Sequence, residues 1–431
     1  MKKNGRVAVI DGCRTPYCKM GTALARVHAA ELGRVVVTEL LYRTETSPER
    51  VDEVVAGNIA QPVDSANIAR VIALRSGIPQ GVPAVTVCRN CASGFESVTY
   101  AADRIRLGEC STAVAAGVES MSGVPLVYRE DAKEAFVRLS RARSLLARAG
   151  AFVRFRPRAL LSPVVALETG LTDPVSGLGM GETAEVLARE FGIGREAQDA
   201  FALESHRRAV AARAKHAEEI VPVYPPPRYD RAVEADVGPR ENQSLEALAR
   251  LRPAFDRRYG TVTAGNSCQV TDGGAALLLM DEERARAEGV RPLGTITHHA
   301  YAGLAPQRMG LGPVFATAKV LDRAGLELSD IDLFEVNEAF AAQVLACLDA
   351  FRSPSFAAKE LGRSKALGEI DPAKLNVGGG AIALGHPVGS SGTRLVLTLL
   401  REMKRRGARR GLATLCVGGG QGGAILLERE E

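Results

Sequence analysis

The sequence predicts an α/β fold made of two similar halves, and three observations carry that expectation. Hydrophobic residues make up 46% of the 431 positions and charged residues 24%, with 44 glycines, the balance of a globular chain with a sizeable core and many tight turns. Short β-branched runs alternate with stretches of helical periodicity along most of the length. Finally, the order of elements near the start returns near the end. Residues 31–60 read as a helix, a turn at Ser47-Pro48 and the strand Val51-Asp52-Glu53-Val54-Val55-Ala56-Gly57; a helix around Lys319-Val320-Leu321 and then Ile331-Asp332-Leu333-Phe334-Glu335-Val336-Asn337 repeat it. Thr112-Ala113-Val114-Ala115-Ala116-Gly117 pairs in the same way with Leu412-Ala413-Thr414-Leu415-Cys416-Val417-Gly418. Identity between the echoes is thin, so duplication and ordinary α/β repetition both account for them. Read as halves, the chain divides into 1–123 completed by 255–290, an insertion over 124–254, and 291–431.

Taken in order, Arg6-Val7-Ala8-Val9-Ile10 is the first strand. No apolar signal core or Arg/Ser-rich presequence precedes it and no run reaches transmembrane length, so a cytoplasmic location is expected, with eight cysteines held as reduced thiols. Ala84-Val85-Thr86-Val87 reads as a short buried strand after Pro83, and residues 92–107 as a helix stopped by Gly108. Between them lies Cys88-Arg89-Asn90-Cys91, with Cys91 as candidate nucleophile. At a strand-to-helix turn the unpaired N–H groups and the helix dipole favour an anion, so the thiol pKa is expected to fall. Two plainer readings compete. A free cysteine is usually a small buried hydrophobe, and Cys88-x-x-Cys91 suits a redox pair or half a zinc site. No second such pair exists, so no metal is expected.

Residues 124–254 interrupt the pattern. From Arg138 to Arg158 there are seven arginines and no acid, interleaved with Leu139, Leu145, Leu146, Phe152, Val153 and Phe155. Without those seven the formal charge of +5 becomes −2, so the basic character is local, which argues against nucleic acid bound over the surface. The segment suits an anionic membrane surface, a partner subunit, nucleotide phosphates or a solvated helical hairpin with a basic face. Beyond it, Gly177-Leu178-Gly179-Met180-Gly181-Glu182 is a glycine-rich turn into a helix over 183–191; a second helix covers 198–215, and Tyr224-Pro225-Pro226-Pro227 is a stiff linker. Residues 251–255 and 261–268 lead back towards the core, where Ala275-Ala276-Leu277-Leu278-Leu279-Met280 reads as a central strand.

Three further motifs carry chemistry. In Val336-Asn337-Glu338-Ala339-Phe340 a strand gives way to a helix, and Asn337 suits the N-cap. Residues 376–392 place His386 amid glycines, which let backbone approach a ligand and leave the imidazole fixed but accessible; a lone histidine is more often an ordinary surface or core residue. Gly418-x-Gly420-x-x-Gly423 matches a dinucleotide fingerprint, but Ala424-Ile425-Leu426-Leu427 continues as a strand and neither a helix nor an acidic ribose partner follows.

Cys91, Asn337-Glu338-Ala339-Phe340, Gly385-His386-Pro387 and Cys416-Val417-Gly418-Gly419-Gly420, in this order, resemble the thiolase family over nearly the whole chain. Within it they are most similar to the long-chain 3-ketoacyl-CoA thiolases, including trifunctional-complex β-subunits, through the basic segment before Gly179-Met180-Gly181-Glu182 and an extra helical stretch over 342–374. The resemblance implies a thiolase fold: two duplicated α/β halves with mixed five-stranded sheets around buried helices, in an αβαβα stack, plus an inserted loop domain. It implies ping-pong thiolysis of medium- or long-chain 3-ketoacyl-CoA through an acyl-Cys91. His386 activates Cys91, and Cys416 protonates the acetyl-CoA enolate and then deprotonates the incoming CoA. One oxyanion is held by His386 with a water on Asn337, the other by the backbone N–H groups of Cys91 and Gly418. It also implies coenzyme A as a substrate, no prosthetic group, and Met180, Phe255, Ala264, Cys268, Ala339 and Phe340 as the residues around the CoA.

The chain departs from the family pattern in three places. Cys268 stands where many thiolases have a serine, Asn337 where trifunctional β-subunits commonly have histidine, and Gly179 where short-chain acetoacetyl-CoA thiolases have histidine. The resemblance further implies a homodimer or homotetramer, and admits a hydratase/dehydrogenase α-subunit and peripheral membrane contact through 138–158 as partners. Competing readings are a biosynthetic acetyl-CoA acetyltransferase, and a non-catalytic acyl-CoA-binding scaffold.

Overall fold

The computed structural model describes residues 6–153 and 163–430. Its strands are β1 Val7–Arg14, β2 Cys18–Lys19, β3 Glu53–Gly57, β4 Ala84–Val87, β5 Thr112–Glu119, β6 Leu126–Val127, β7 Val164–Val165, β8 Thr271–Asp281, β9 Gly294–Gly303, β10 Leu333–Val336, β11 Arg410–Val417 and β12 Gln421–Glu428. In the N-terminal half the spatial order is β4-β3-β5-β8-β1: β4, β3 and β5 run parallel, and β8 and β1 follow antiparallel. The C-terminal half repeats the pattern as β10-β11-β12-β9, with one parallel and two antiparallel pairings, and Leu375 holds the fifth position by bridging Phe334 in parallel. The halves are joined where Val7–Val9 pairs with Gly294–Ile296.

Six helices make the remaining layers: α1 Ala29–Arg43, α2 Ile68–Arg75, α3 Ser93–Arg106, α4 Gly312–Ala324, α5 Ala341–Arg352 and α6 Val388–Arg406. The period-2 alternation of the strands decides what each face meets. Val114, Ala116, Leu278 and Met280 pack with α1 and α2, while Ala113, Ala115, Leu277 and Leu279 turn the other way onto α3 and α6. Ala413, Leu415, Ile425 and Leu427 reach the same central helices from the second half, and Leu412, Ala424 and Leu426 face α4 and α5. The stack is therefore αβαβα. Strands covered on both faces read as nearly continuous apolar runs for this reason.

α3 forms because Phe95, Val98, Ala102 and Ile105 recur at helical spacing and all are buried; Gly108, in the left-handed region, ends it. α6 repeats the device with Leu395, Val396, Leu399, Leu400 and Met403, and Gly407 as left-handed cap. The two helices touch at their N-terminal turns, where glycine is required: a Cβ on Gly94 would lie 2.7 Å from the Thr393 nitrogen, and one on Gly392 would collide with the backbone of Phe95. Cys91 lies just before the first of these helices and His386 just before the second.

Two local expectations are revised and a third is resolved into its elements. β4 is a half-buried edge strand, since only β3 pairs with it among the described residues. The helix expected over 198–215 breaks into Arg195–Ala211 and Arg213–Ala217. The stretch 342–374 contains α5, a helix at Pro354–Leu361 and a short 3-10 turn at Pro372–Lys374. The basic segment forms the end of one helix, Glu130–Arg141, and a second, Leu145–Val153; Arg154, Phe155, Arg156 and Arg158 lie outside the described residues. The inserted region is fastened to β1 by buried Arg14, which donates to Glu219 at 3.1 Å and to both oxygens of Asp236 at 2.7 and 2.8 Å.

Candidate active site

Cys91 lies in a turn that Ser93 closes. The Ser93 hydroxyl donates to Asn90 O at 2.8 Å and accepts from Arg89 N–H at 2.8 Å, while Ala92 N–H donates to Arg89 O at 2.9 Å. Asn90 takes φ +44°, and its amide donates to Gly418 O at 2.8 Å. The backbone N–H groups of Gly418 and of Cys91 itself favour the thiolate, yet burial outweighs them and raises the thiol pKa. The expected fall is thus reversed. Desolvation of a sulfur held between two halves exceeds what one helix terminus and two donors return.

His386 sits at the mouth of α6, fixed through its N–H to Gln269 O at 3.1 Å. Its Nδ1 is 2.5 Å from the Ser391 hydroxyl, which donates its own proton to Pro387 O at 3.1 Å. With that proton on Pro387 O, Ser391 accepts from Nδ1–H and the lone pair falls on Nε2, which is buried and without a partner. Burial first, and the Arg394 cation second, lower the pKa to about 4, so the ring is neutral near neutral pH. The imidazole is buried at 6% exposure, where an accessible ring was expected.

Asn337 follows β10 and is fully buried, with neither Oδ1 nor Nδ2 partnered. It does not cap α5, whose N-cap is Phe340. An orphaned amide at such depth calls for a water or a ligand group. Beside it the Glu338 carboxylate accepts from Ser205 Oγ at 2.6 Å, Asn376 Nδ2 at 2.8 Å and Ile382 N–H at 3.2 Å, tying the insertion and the histidine loop to β10. Asn376, at φ +44°, extends that grip by exchanging two hydrogen bonds with the backbone of Val336.

Cys416, at the end of β11, is buried among Ala339, Phe340, Met309 and Val262, with Met180 packed against them. Burial raises its pKa strongly, and the neighbouring thiols of Cys91, Cys347 and Cys268 add to the rise. At Gly418 a Cβ would approach the Met180 sulfur to 3.1 Å, and Gly419 and Gly420 take φ +87° and +78° to reverse the chain into β12. Phe255 meets Phe340 edge-on at 5.9 Å, and Cys268 N–H donates to Ala339 O at 2.9 Å. The Cys268 thiol is pushed up to about 12, chiefly by burial. Of the expected ligand-binding residues, Ala264 is exposed on the 263–266 turn and Phe255 is exposed too. Alongside Phe255 a surface pocket of about 400 Å³ is lined by Leu178, Glu182, Val186, Arg189 and Arg258.

Local motifs singled out Cys91, Asn337 and His386, and the family resemblance added Cys416 and Cys268. Asn90, Ser391, Glu338 and Asn376 were not picked out for the contacts they make. Their signal is only a polar residue within a few positions of a motif, which turn preference explains equally well. The Cys91, Cys268 and Cys416 thiols lie near enough to one another that their charges add to the burial-driven rise of the Cys268 and Cys416 pKa values, and His386 Nε2 and the Asn337 amide are left unpartnered.

Two family models match the chain: the N-terminal domain of thiolase over residues 7–283 and the C-terminal domain over 290–429. The chain is 42% identical to a 3-ketoacyl-CoA thiolase of Yersinia enterocolitica over 434 residues, covering 100% of this chain and 98% of the relative. Among solved structures it resembles the acetyl-CoA acetyltransferase of Bacillus anthracis, with a TM-score of 0.85 at 37% identity, covering 99% of this chain and 100% of that one. It also resembles human mitochondrial 3-ketoacyl-CoA thiolase in complex with CoA, with a TM-score of 0.84 at 34% identity, covering 99% and 98% of the two chains.

Proposed function

The chain belongs to the thiolase family and is an acyltransferase, and from that premise we propose that it cleaves medium- and long-chain 3-ketoacyl-CoA in the degradative direction. His386 Nε2 takes the Cys91 proton as the sulfur attacks the 3-keto carbon. The bond between the second and third carbons breaks, and its electron pair forms the acetyl-CoA enolate, which the Cys416 thiol protonates. The Cys416 thiolate then deprotonates CoA, whose sulfur displaces the acyl group from Cys91; the departing Cys91 thiolate takes back its proton from His386, so both cysteines and the imidazole end as they began. The observation that carries this reading is the unpartnered Nε2 lone pair of a buried neutral His386 together with the orphaned Asn337 amide. Asn337 would position a water for the first oxyanion, and Cys91 and Gly418 N–H groups would bind the second.

Coenzyme A is read as lying along Met180, Phe255, Ala264, Cys268, Ala339 and Phe340, and residues 124–254 as the inserted domain that holds it. The Phe255–Phe340 contact and the adjoining pocket support this placement. The half-buried β4 edge favours a homodimer paired strand to strand. Among the described residues no helix is long and apolar enough to cross a membrane. We place the described part of the 138–158 segment against an anionic bilayer surface, because Leu145 and Leu146 are 84% and 88% exposed beside Arg141, Arg143 and Arg148.

The test is steady-state thiolysis across 3-ketoacyl-CoA substrates from the shortest to long chains, for wild type and Cys91→Ser. Turnover should rise with chain length and fall by about 10⁴-fold or more in the variant. Activity confined to acetoacetyl-CoA would favour the biosynthetic reading. CoA binding without any turnover would favour the scaffold. Binding to anionic but not neutral vesicles, abolished by Leu145→Asp with Leu146→Asp, tests the membrane contact.

A further inference from the structure

The residue before the nucleophile makes a contact that the proposed mechanism has not used. Asn90 adopts φ +44°, a conformation that L-residues other than asparagine and aspartate rarely take, and from it the side-chain amide spans to the second half of the molecule to donate to Gly418 O at 2.8 Å. The partner is 328 positions away in sequence. Gly418 itself opens a three-glycine turn in which Gly419 and Gly420 have positive φ, so this segment has little conformational stiffness of its own. Arg89 adds a second link at the far end of the same turn: it donates to Gln421 Oε1 at 3.2 Å and stacks over the Tyr301 ring at 4.1 Å, while Glu96 holds its Nε at 2.6 Å.

We propose that Asn90 is a positioning residue that sets the Gly418 N–H against the Cys91 sulfur, so that one dipeptide supplies one oxyanion donor and holds the other in place. The inference rests on the reading of Cys91 and Gly418 given under the proposed function. Cys91 contributes its own N–H, and the side chain of its neighbour fixes the carbonyl of the residue that contributes the second. The distance between the two donors is then determined by a hydrogen bond across the interface between halves, independently of ladder pairing further along β11.

Three variants separate this role from a need for left-handed backbone. Asn90→Gly keeps the conformation and removes the amide; Asn90→Ala removes both; Asn90→Asp keeps the shape but presents a carboxylate to Gly418 O. The first readout, independent of turnover, is the pH profile of iodoacetamide alkylation at Cys91, followed by mass of its peptide. Asn90→Gly should move that profile up by roughly one pH unit, the worth of a hydrogen bond to a charged group. The second is thiolysis, where Asn90→Gly should lower kcat by about 10²-fold at unchanged KM for CoA, as a misplacement of about 1 Å can do. Asn90→Asp should lose most at neutral pH and recover relative to wild type as the pH is lowered and the carboxyl gains a proton to donate. An alkylation profile unmoved in Asn90→Gly, or an Asn90→Asp to wild-type ratio flat with pH, overturns the proposal. A shifted Asn90→Gly alkylation profile alongside a wild type that cleaves no 3-ketoacyl-CoA upholds the positioning contact and sinks the functional reading instead.

Discussion

Protonation states at the site follow from who donates to whom. With the Ser391 proton on Pro387 O, the imidazole proton stays on Nδ1 and the lone pair is on Nε2, the base of the proposed mechanism. Ser391→Ala should lose that control of tautomer and lower kcat by up to about 10²-fold, the lower end of what a general base contributes, with CoA affinity unchanged in a binding titration. Because burial lowers the His386 pKa to about 4, its active neutral form persists as pH falls well below the range of an ordinary histidine. The acid limb of kcat/KM that belongs to His386 should therefore appear near pH 4, and a limb at the ordinary histidine value of about 6.5 would contradict the assignment. Asn337→Ala should cost about 10²–10³ in kcat, as loss of an oxyanion contact does, in the same assay. The upward shift of Cys91 shows why helix-dipole logic misled: a terminus contributes tenths to about two kcal/mol, and desolvation of a charge can exceed that.

Among elements, the α3–α6 contact carries the most consequence for the site. Gly392→Ala would push a methyl into the backbone of Phe95, which cannot yield as a side-chain tip can. We expect a loss of about 1–3 kcal/mol in urea unfolding, with activity falling at temperatures where the variant remains folded, because Cys91 and His386 precede the two displaced helices. Most elements were legible from residues alone. Phe95, Val98, Ala102 and Ile105 announce α3, and Gly108 and Gly407 announce the ends of α3 and α6. What misled was context: Asn337 has the chemistry of an N-cap, but residues 338–340 run on before α5 begins, and the amide faces the interior instead. Likewise β4 reads as a buried strand from its β-branched residues, but its place at the sheet edge leaves it half-buried.

For the whole molecule, Arg14 joins the inserted region to the first half, with 1% of its side chain exposed. Asp236→Ala would leave that cation buried with one remaining carboxylate, and should destabilise by about 3–5 kcal/mol in denaturant titration. Asp236 is held below the usual carboxylate range by Arg14 against the cost of burial. Its contribution is therefore present above the unfolded carboxyl value and lost as pH falls through the lower folded one, so wild type and variant should converge in stability in acid. By itself the sequence determined the apolar periodicities, the turns, the echo between halves and the order of four motifs, which is why fold class and family resemblance could be read from it: each is local, or a matter of order along the chain. Only the tertiary structure decided that Cys91 is desolvated, that His386 keeps its lone pair on Nε2, that Asn337 is left without a partner, and that Asn90 reaches Gly418. Those are properties of what packs against a residue, and in the Asn90 pair the two groups lie 328 positions apart, beyond any local pattern.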